Sequence, residues 1–274
     1  MLLFPHAKIN LGLNVLARRA DGFHDIESVL VPIPLCDVLE AVIAPDLDKN
    51  ALVYTRSGLT IAGALNDDLC YKAVRRIQQL RALPGLRLHL HKVIPMGAGL
   101  GGGSSDAAHT LLMVNRLCGL GLEQSELHAH AIALGSDCAF FLQNEACIAR
   151  GRGELLGPVG LDLRGLHLVL VNPGLHVSTA EVYRNTVPTG RPWDLSSLLH
   201  REQLEEWQAT IINTMETYVL DAHPVIADIK TSLLRSGALY AAMTGSGSSV
   251  FGLFKTPPKD VVFTHSSRTW TFEL

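Results

Sequence analysis

A glycine-rich segment, PMGAGLGGGSSD at residues 95–106, constrains this chain more than any other feature, since five of the seven residues from 97 to 103 are glycine. Glycine loses more conformational freedom on folding than any other residue, so such a run indicates a backbone with a special task. Without a Cβ, main-chain N–H groups approach a ligand closely, and a helix predicted to begin at Ser104 or Ser105 adds a partial positive charge. The segment therefore predicts a phosphate-binding loop made of Pro95, Met96, Gly97, Ala98, Gly99, Leu100, Gly101, Gly102, Gly103, Ser104 and Ser105.

Three other interpretations of this segment fit the sequence less well. Gly97-x-Gly99-x-x-Gly102 fits the dinucleotide fingerprint, which would indicate an NAD(P) oxidoreductase, but residues 119–134 predict another helix where that fold needs a strand. A Walker A loop is disfavoured because no lysine follows the glycines. A flexible surface linker is disfavoured because the run lies between a predicted strand and a predicted helix.

Two further segments carry candidate site residues. In HAKINLGLNV, residues 6–15, apolar and polar residues alternate, which predicts a strand with Lys8 and Asn10 on one face. In LGSDCAFF, residues 134–141, Asp137 follows a Gly-Ser pair at a predicted loop-to-helix junction. Each has a simpler explanation, since Lys8 fits a surface lysine and Asp137 fits a helix cap. Another glycine-containing motif, MTGSGSSVFG at residues 243–252, predicts a hairpin that could add N–H donors for a phosphate.

The remaining pattern predicts an α+β protein with a domain boundary near residues 150–165, where glycines cluster. Strands are predicted at residues 6–15, 24–33, 37–43, 51–55, 86–92, 145–149, 166–173, 239–244, 250–254 and 269–272. Helices are predicted at residues 67–81, 105–118, 125–134, 203–219 and 224–236, and another at the capping box that begins with Ser178. The 20 residues after Phe254 are few for both a helix and a strand, so a last helix–strand unit is doubtful.

Composition excludes several classes of protein. A formal charge of -3 and a pI near 6.4 disfavour a nucleic-acid partner. The five cysteines are odd in number and never form a CxxC pair, which argues against a disulfide framework or a zinc cage. His89 and His91 have no third ligand type nearby and are not expected to hold a metal. We therefore expect a cytoplasmic protein without a membrane span. The expected assembly is a monomer or weak homodimer.

Three motifs, HAKINLGLNV near the start, PMGAGLGGGSSDAA around residue 100 and TGSGSSVFG near the end, resemble in this order the GHMP kinase superfamily. Within it, AKINLGL, RRADGFHDIES, LGSDCAFF and ARGRGE look like the members that use ATP to phosphorylate the 2-hydroxyl of 4-diphosphocytidyl-2-C-methyl-D-erythritol, in the non-mevalonate isoprenoid pathway. The resemblance implies a two-domain architecture. Residues 1–155 would form an ATP-binding catalytic domain of the ribosomal S5 domain 2-like type. Residues 156–274 would form a ferredoxin-like domain that contributes to the substrate site.

The resemblance also implies roles for single residues. Residues 95–105 would wrap the triphosphate, Asp137 would be the catalytic acid residue, and Lys8 would be the lysine paired with it. Asn10 and His24 would hold the substrate, and Phe23 and Tyr183 would stack on its cytosine. Phe23 stands where many members have tyrosine, and Cys138-Ala139 stands where many have Val-Pro. Magnesium is implied with ATP, its ligands are not assigned, and Ser104 is a candidate.

Besides the NAD(P) oxidoreductase considered above, two alternatives to this function remain. One is a different GHMP small-molecule kinase, acting on homoserine or mevalonate. The other is a noncatalytic RNA-binding module, because the ribosomal-type fold is not restricted to enzymes.

Overall fold

The computed structural model describes residues 1–193, 199, 204–259, 263 and 267–274, and within them the chain is α+β. The strands are β1 (Leu2–Leu3), β2 (His6–Arg18), β3 (His24–Cys36), β4 (Val38–Ile43), β5 (Leu52–Gly58), β6 (Leu86–Lys92), β7 (Cys147–Gly151), β8 (Leu155–Pro158), β9 (His167–Asn172), β10 (Tyr240–Met243), β11 (Val250–Phe254) and β12 (Arg268–Glu273). The α-helices are α1 (Leu69–Gln78), α2 (Gly102–Leu117), α3 (Gln124–Leu134), α4 (Thr179–Asn185), α5 (Trp207–Thr210), α6 (Glu216–Ala222) and α7 (Pro224–Arg235). Short 3-10 helices span Leu65–Asp67 and Ser136–Leu142.

The chain divides into two compact units that interleave along the sequence. The first unit consists of Met1–Ala7, Pro34–Met96 and Gly101–Asn144. The second unit consists of Lys8–Ile33, Gly97–Leu100 and Glu145–Leu274. The glycine-rich segment therefore contributes residues to both units. The domain boundary between residues 155 and 156 stays a prediction.

The first unit is built on a four-stranded sheet in the order β1-β4-β6-β5. β5 and β6 are parallel, and α1 lies in the connection between them. Asp68 is the N-cap of α1, its carboxylate accepting a hydrogen bond from Cys70 N at 2.9 Å, so the helix begins two residues later than residue 67, the predicted start. Leu80 lies within the predicted helix of residues 67–81, but in the structure it lies beyond the end of α1 and is exposed. The core joins the sheet to α1, α2 and α3.

Helix α2 begins at Gly102, two or three residues earlier than predicted, with Gly101 as the N-cap residue. No side chain caps this N-terminus, and Ser104 and Ser105, the predicted start of the helix, lie within its first turns. Gly102 and Gly103 are part of the first helical turn. The helix consequently starts with main-chain N–H groups that carry almost no side-chain cover.

The second unit contains two four-stranded sheets, ordered β2-β3-β7-β8 and β10-β11-β9-β12. All neighbours in the second sheet are antiparallel. Numbered from β9 as the first strand, its order is 4-1-3-2, which is the ferredoxin-like arrangement that the resemblance implies. β12 confirms the strand predicted at residues 269–272, although the tail is short. A helix between β11 and β12 would fall largely outside the described residues.

The prediction of a single helix at residues 203–219 is wrong for the described residues, 204–219. The chain forms α5, leaves the helix at Ile211, and begins α6 only at Glu216. Between them the chain pairs with β2, because Leu13 N donates to Ile212 O at 3.0 Å and Thr214 N donates to Leu13 O at 2.8 Å. A tertiary strand contact thus replaces the local helical hydrogen bonds.

Candidate active site

The first half of the glycine loop, Gly97–Leu100, is anchored within the second unit. Ala98 and Leu100 are buried, and their carbonyl oxygens accept hydrogen bonds from Ser249 N at 3.3 Å and Lys8 N at 3.0 Å. Gly99 lies between them with φ of 77°. A Cβ at Gly99 would lie 1.9 Å from Thr244 O, which no side chain tolerates. The close approach of two backbones therefore requires glycine here.

Lys8 and Asn10 lie in a buried hydrogen-bond network under this half of the loop. Lys8 Nζ donates to Asn10 Oδ1 at 2.5 Å, and Asn10 Nδ2 donates to Ser28 Oγ at 2.9 Å. The Thr244 hydroxyl donates to Gly99 O at 3.0 Å and accepts from Asn10 N at 3.0 Å. The prediction that Lys8 and Asn10 share a strand face is confirmed. The network fixes the Lys8 ammonium and the loop backbone together.

Asn213 stabilises the turn after β10, and the sequence analysis did not identify it. Its Nδ2 donates to Met243 O at 2.9 Å and to Gly245 O at 2.8 Å, and its Oδ1 accepts from Met215 N at 3.0 Å. A polar residue in the middle of a predicted helix was the available signal, because asparagine favours alternatives to helical hydrogen bonds.

The second half of the loop lies in the first unit, at the N-terminus of α2. The first hydrogen bond of this turn is from Ser105 N to Gly101 O at 2.9 Å, so the N–H groups of residues 102–104 have no helical acceptor. Together with the helix dipole they form a site suited to an anion. The side chain of Ser105 is buried, with Oγ 3.4 Å from His109 Nδ1, whereas Ser104 is only half-buried. Ser104 is thus the better placed of the two hydroxyls to meet a phosphate.

A buried ionic network underlies this helix N-terminus. Lys92 Nζ donates to Asp37 Oδ2 at 2.5 Å and to Asp106 Oδ2 at 2.6 Å, while Asp37 Oδ1 accepts from Val93 N and Ile94 N. Burial opposes the charge of Lys92, but the two carboxylates outweigh it and raise the pKa of the ammonium. A Cβ at Gly102 would lie 2.9 Å from Lys92 Nζ, so glycine allows the helix to close over the ammonium.

The sequence analysis did not predict this ionic network, although a signal was present. Leu86, Leu88 and Leu90 face the core in β6, so alternation places Lys92 on the same inward face. A lysine at a core position needs a carboxylate partner. The sequence does not show which of the acidic residues supplies it.

Asp137 lies in the first turn of the 3-10 helix Ser136–Leu142, as the predicted junction implied, and it is half-buried. The neighbouring Ser136 Oγ is 3.5 Å from Asp137 Oδ1. The next residue, Cys138, is buried, and burial raises the pKa of its thiol to about 12. Asp137 is therefore a carboxylate on a rigid, partly accessible turn, which suits it to accept a proton.

The three predicted substrate aromatics lie in the second unit. His24 and Tyr183 stack on one another, with ring centroids 4.9 Å apart and an interplanar angle of 25°. Burial and the nearby Arg18 charge lower the pKa of His24. Phe23 does not stack on either ring and is instead 55% exposed, with the Arg152 guanidinium 4.9 Å from its centroid. The structure thus brings His24 and Tyr183 into contact and gives Phe23 a different neighbour.

Within the described residues, no group of three or more histidine, cysteine, aspartate or glutamate side chains is arranged to hold a metal ion. His89 and His91 both contact the Ser57 hydroxyl, at 2.8 and 2.9 Å. None of the helices in the described ranges is long and apolar enough to cross a membrane.

Comparison with known proteins shows the family. The sequence profile described as "GHMP kinases N terminal domain" matches residues 68–145, and "GHMP kinases C terminal" matches residues 195–262. A 4-diphosphocytidyl-2-C-methyl-D-erythritol kinase of Azobacteroides pseudotrichonymphae is 43% identical over 95% of this chain and 96% of its own length. One from Parabacteroides distasonis is 44% identical over 94% of this chain and 93% of its own length.

A crystal structure described as 4-(cytidine 5'-diphospho)-2C-methyl-D-erythritol kinase has the same fold. It superimposes with a TM-score of 0.79 at 30% identity, and the match covers 99% of this chain and 98% of the other. The sequence match and the fold match therefore agree over nearly the whole chain. The chain belongs to the GHMP kinases and, within them, to the family of 4-diphosphocytidyl-2-C-methyl-D-erythritol kinases.

Proposed function

We propose that this chain transfers the γ-phosphoryl group of ATP to the 2-hydroxyl of 4-diphosphocytidyl-2-C-methyl-D-erythritol. The observation that carries the proposal is the glycine-lined start of α2, where the N–H groups of residues 102–104 lack helical acceptors, in a chain 44% identical to a named kinase of this substrate. Phosphoryl transfer depends mainly on positioning and on electrostatic stabilisation of the phosphates. A cradle of main-chain donors supplies both.

The ATP site is proposed to be the loop of residues 95–105. The N–H groups of residues 102–104 would donate to phosphate oxygens, and Gly99 allows the loop to lie directly on the Thr244 backbone. Magnesium bound with ATP would offset the negative charge of the phosphates. The Ser104 hydroxyl, half-buried in the first turn, is an oxygen donor that fits this ion.

Asp137 is proposed to act as the general base. An alcohol is a weak nucleophile until its proton is accepted, so the Asp137 carboxylate takes the proton of the 2-hydroxyl as its oxygen attacks the γ-phosphorus. The bond from the γ-phosphorus to the bridging oxygen breaks, and ADP leaves with that electron pair. Lys8 is proposed to stabilise the charge of the transferring group with its ammonium.

The substrate is proposed to contact Asn10, Phe23, His24 and Tyr183. Asn10 uses one amide hydrogen for Ser28 and its oxygen for Lys8 and Thr244, which leaves its second amide hydrogen for a substrate oxygen. Phe23 and Tyr183 offer ring faces to the cytosine, since stacking fixes the orientation of a base.

The physiological setting belongs to the same proposal. We expect the enzyme to act in the cytoplasm on a small molecule, as a monomer or weak homodimer, without a nucleic-acid or membrane partner. The net charge of -3 and the five free thiols support this setting.

A coupled assay of ADP release tests the substrate. The cytidyl alcohol should be consumed with a kcat/KM at least about a hundredfold above those for mevalonate and homoserine, because the smaller alcohols lack the base that stacks. A preference for mevalonate or homoserine would replace the proposed substrate with that of another GHMP kinase. Heat protection by NADH rather than ATP would instead support an oxidoreductase, and salt-sensitive RNA retention would support a binding module.

The Asp137→Asn variant tests the mechanism. We expect kcat to fall about 10²- to 10⁴-fold, since asparagine cannot accept the hydroxyl proton, while ATP still binds. Steady-state kinetics measure the first effect and calorimetry with ATP measures the second. The matched control is Asp162→Asn, which alters an exposed carboxylate that pairs with Arg164. Full activity of Asp137→Asn would remove this carboxylate from the reaction.

A further inference from the structure

The Phe23 ring lies on an exposed turn and is covered on one side by arginine. Phe23 is 55% exposed, and the Arg152 guanidinium carbon is 4.9 Å from the ring centroid. A guanidinium on an aromatic face is attracted by the negative charge of that face. One face of the ring is therefore occupied by a cation, while much of the ring stays accessible.

The turn that carries Phe23 is held by hydrogen bonds between its own residues. Arg19 N donates to Phe23 O at 2.8 Å, and Phe23 N donates to Asp21 Oδ1 at 3.1 Å. The Arg19 side chain in turn contacts Asp21 and Asp25, at 3.1 and 2.8 Å. The backbone of Phe23 is thus held in place, whereas its side chain projects from the turn with the Arg152 guanidinium over its ring.

Arg152 reaches the ring from the end of β7. The antiparallel register pairs Ile26 with Gly151, so Arg152 follows directly opposite the start of β3. Glu154 fixes its backbone, since Arg152 N donates to Glu154 Oε2 at 2.6 Å. The Arg152 guanidinium is 3.6 Å from Glu154 Oε1, which is longer than a hydrogen bond, so the cation is oriented without being fully bound to the carboxylate.

We infer that Arg152 is a positioning residue for the cytidyl end of the substrate, because its guanidinium holds the Phe23 ring in the orientation that leaves the opposite face open for the base. The inference rests on the proposed function. Preorganisation of an exposed aromatic ring improves affinity, since the ring does not have to be ordered when the ligand binds.

The test is a double-mutant cycle with cytidine 5′-diphosphate as the probe. Calorimetry compares the wild type, Arg152→Gln, Phe23→Leu and the double variant. We expect Arg152→Gln to weaken binding of the diphosphate about fivefold and Phe23→Leu to weaken it about tenfold. In the Phe23→Leu background, Arg152→Gln should change the affinity by less than about twofold, because its effect acts through the ring.

Kinetics separate positioning from a general structural role. Arg152→Gln should raise KM for the cytidyl alcohol while kcat and KM for ATP stay within about twofold of the wild type. Arg152→Lys keeps a cation that can lie on the ring, so it should lose less affinity than Arg152→Gln. The matched control is Arg164→Gln, which removes the same charge from an arginine whose side chain is 88% exposed.

Each outcome bears on a distinct claim. Equal affinity of the wild type and Arg152→Gln would overturn the inference and leave the proposed function intact. An additive double variant would also overturn it, since Arg152 would then act without Phe23. Failure of the wild type to bind the diphosphate and to phosphorylate the cytidyl alcohol would overturn the proposed function, and the inference with it.

Discussion

Two buried lysines support the two halves of the glycine loop, and the hydrogen bonds described for them join different parts of the chain. In the first unit, Lys92 lies between the carboxylates of Asp37 and Asp106, at 2.5 and 2.6 Å. In the second unit, Lys8 donates to the neutral amide oxygen of Asn10 at 2.5 Å. Lys92 is 1% exposed and Lys8 is 4% exposed, so burial does not distinguish them.

The difference lies in what the described hydrogen bonds hold together. Two carboxylates offset the Lys92 charge and bind strand, loop and helix together, which is a structural task. The Asn10 amide orients the Lys8 ammonium beside the first half of the loop, which suits a residue proposed to stabilise a phosphoryl group. We therefore expect loss of Lys92 to affect mainly stability and loss of Lys8 to affect mainly the rate.

The largest effect is expected for Lys92→Met. Removing the ammonium leaves two buried carboxylates without their partner, so the free energy of unfolding should fall by about 3 to 5 kcal/mol. Urea denaturation followed by circular dichroism measures the loss. Adding Asp106→Asn should restore part of it, because one buried charge is then gone. An unchanged urea midpoint for Lys92→Met would contradict the structural role of this lysine.

The next effect is expected for Lys8→Met, in the rate rather than in stability. We expect kcat to fall about 10²- to 10³-fold, the usual effect of removing one electrostatic stabiliser. Methionine fills a similar volume, and Asn10 keeps its hydrogen bonds to the Ser28 and Thr244 hydroxyls, so the urea midpoint should change less than for Lys92→Met. If Lys8→Met instead loses stability like Lys92→Met, the contrast between the two lysines is wrong.

A smaller effect is expected for Thr244→Val, which tests the buried hydrogen-bond network under the first half of the loop. The change keeps the shape of the side chain but leaves Asn10 N and Gly99 O without their hydroxyl partner. The cost should be about 1 to 3 kcal/mol in the free energy of unfolding, together with a raised KM for ATP, since the loop loses an anchor. Thr244→Ser is the matched control, because it keeps the hydroxyl and should stay near the wild type in both measurements.

The smallest effect is expected from histidine titration in the first unit. Burial lowers the pKa of His109 to about 4, and it also lowers the pKa of the neighbouring His6, whose ring centroid is 5.6 Å away. Because the unfolded state then binds protons more readily, stability is complete above about pH 6.5 and falls as the pH drops toward 4.

The size of this titration effect can be measured separately. We expect a loss of about 1 kcal/mol in the free energy of unfolding between pH 7 and 5.5 for His109. His109→Phe should reduce this acid dependence in urea denaturation, compared with the wild type over the same pH range. Identical pH profiles for the wild type and His109→Phe would show that the burial of His109 does not contribute to the loss of stability in acid.

Much of the site follows from local pattern. Alternation in HAKINLGLNV correctly places Lys8 and Asn10 on one strand face, because side chains in a strand repeat every two residues. The glycine run correctly predicts a loop that leads into a helix, although the helix begins at Gly102 rather than at Ser104 or Ser105. Capping chemistry correctly marks the helix starts at Ser178 and Pro224.

Contacts between distant parts of the chain were not predictable in this way. Asn213 and Thr214 lie in a stretch with helical character, yet the strand partner at Leu13 is about two hundred residues away in sequence. The Arg152 contact with Phe23 likewise depends on the register of β3 and β7. A single sequence contains no signal for such pairings, because any compatible strand or ring could supply the partner.

The sequence by itself determined where backbone could approach a ligand, which residues alternate on a strand, and which side chains could move a proton, since these depend on neighbours in the chain. Tertiary structure decided which carboxylates offset Lys92, which hydroxyl supports Gly99, and which cation covers Phe23. These choices depend on three-dimensional proximity and on burial, and both arise only when the sheets and helices pack.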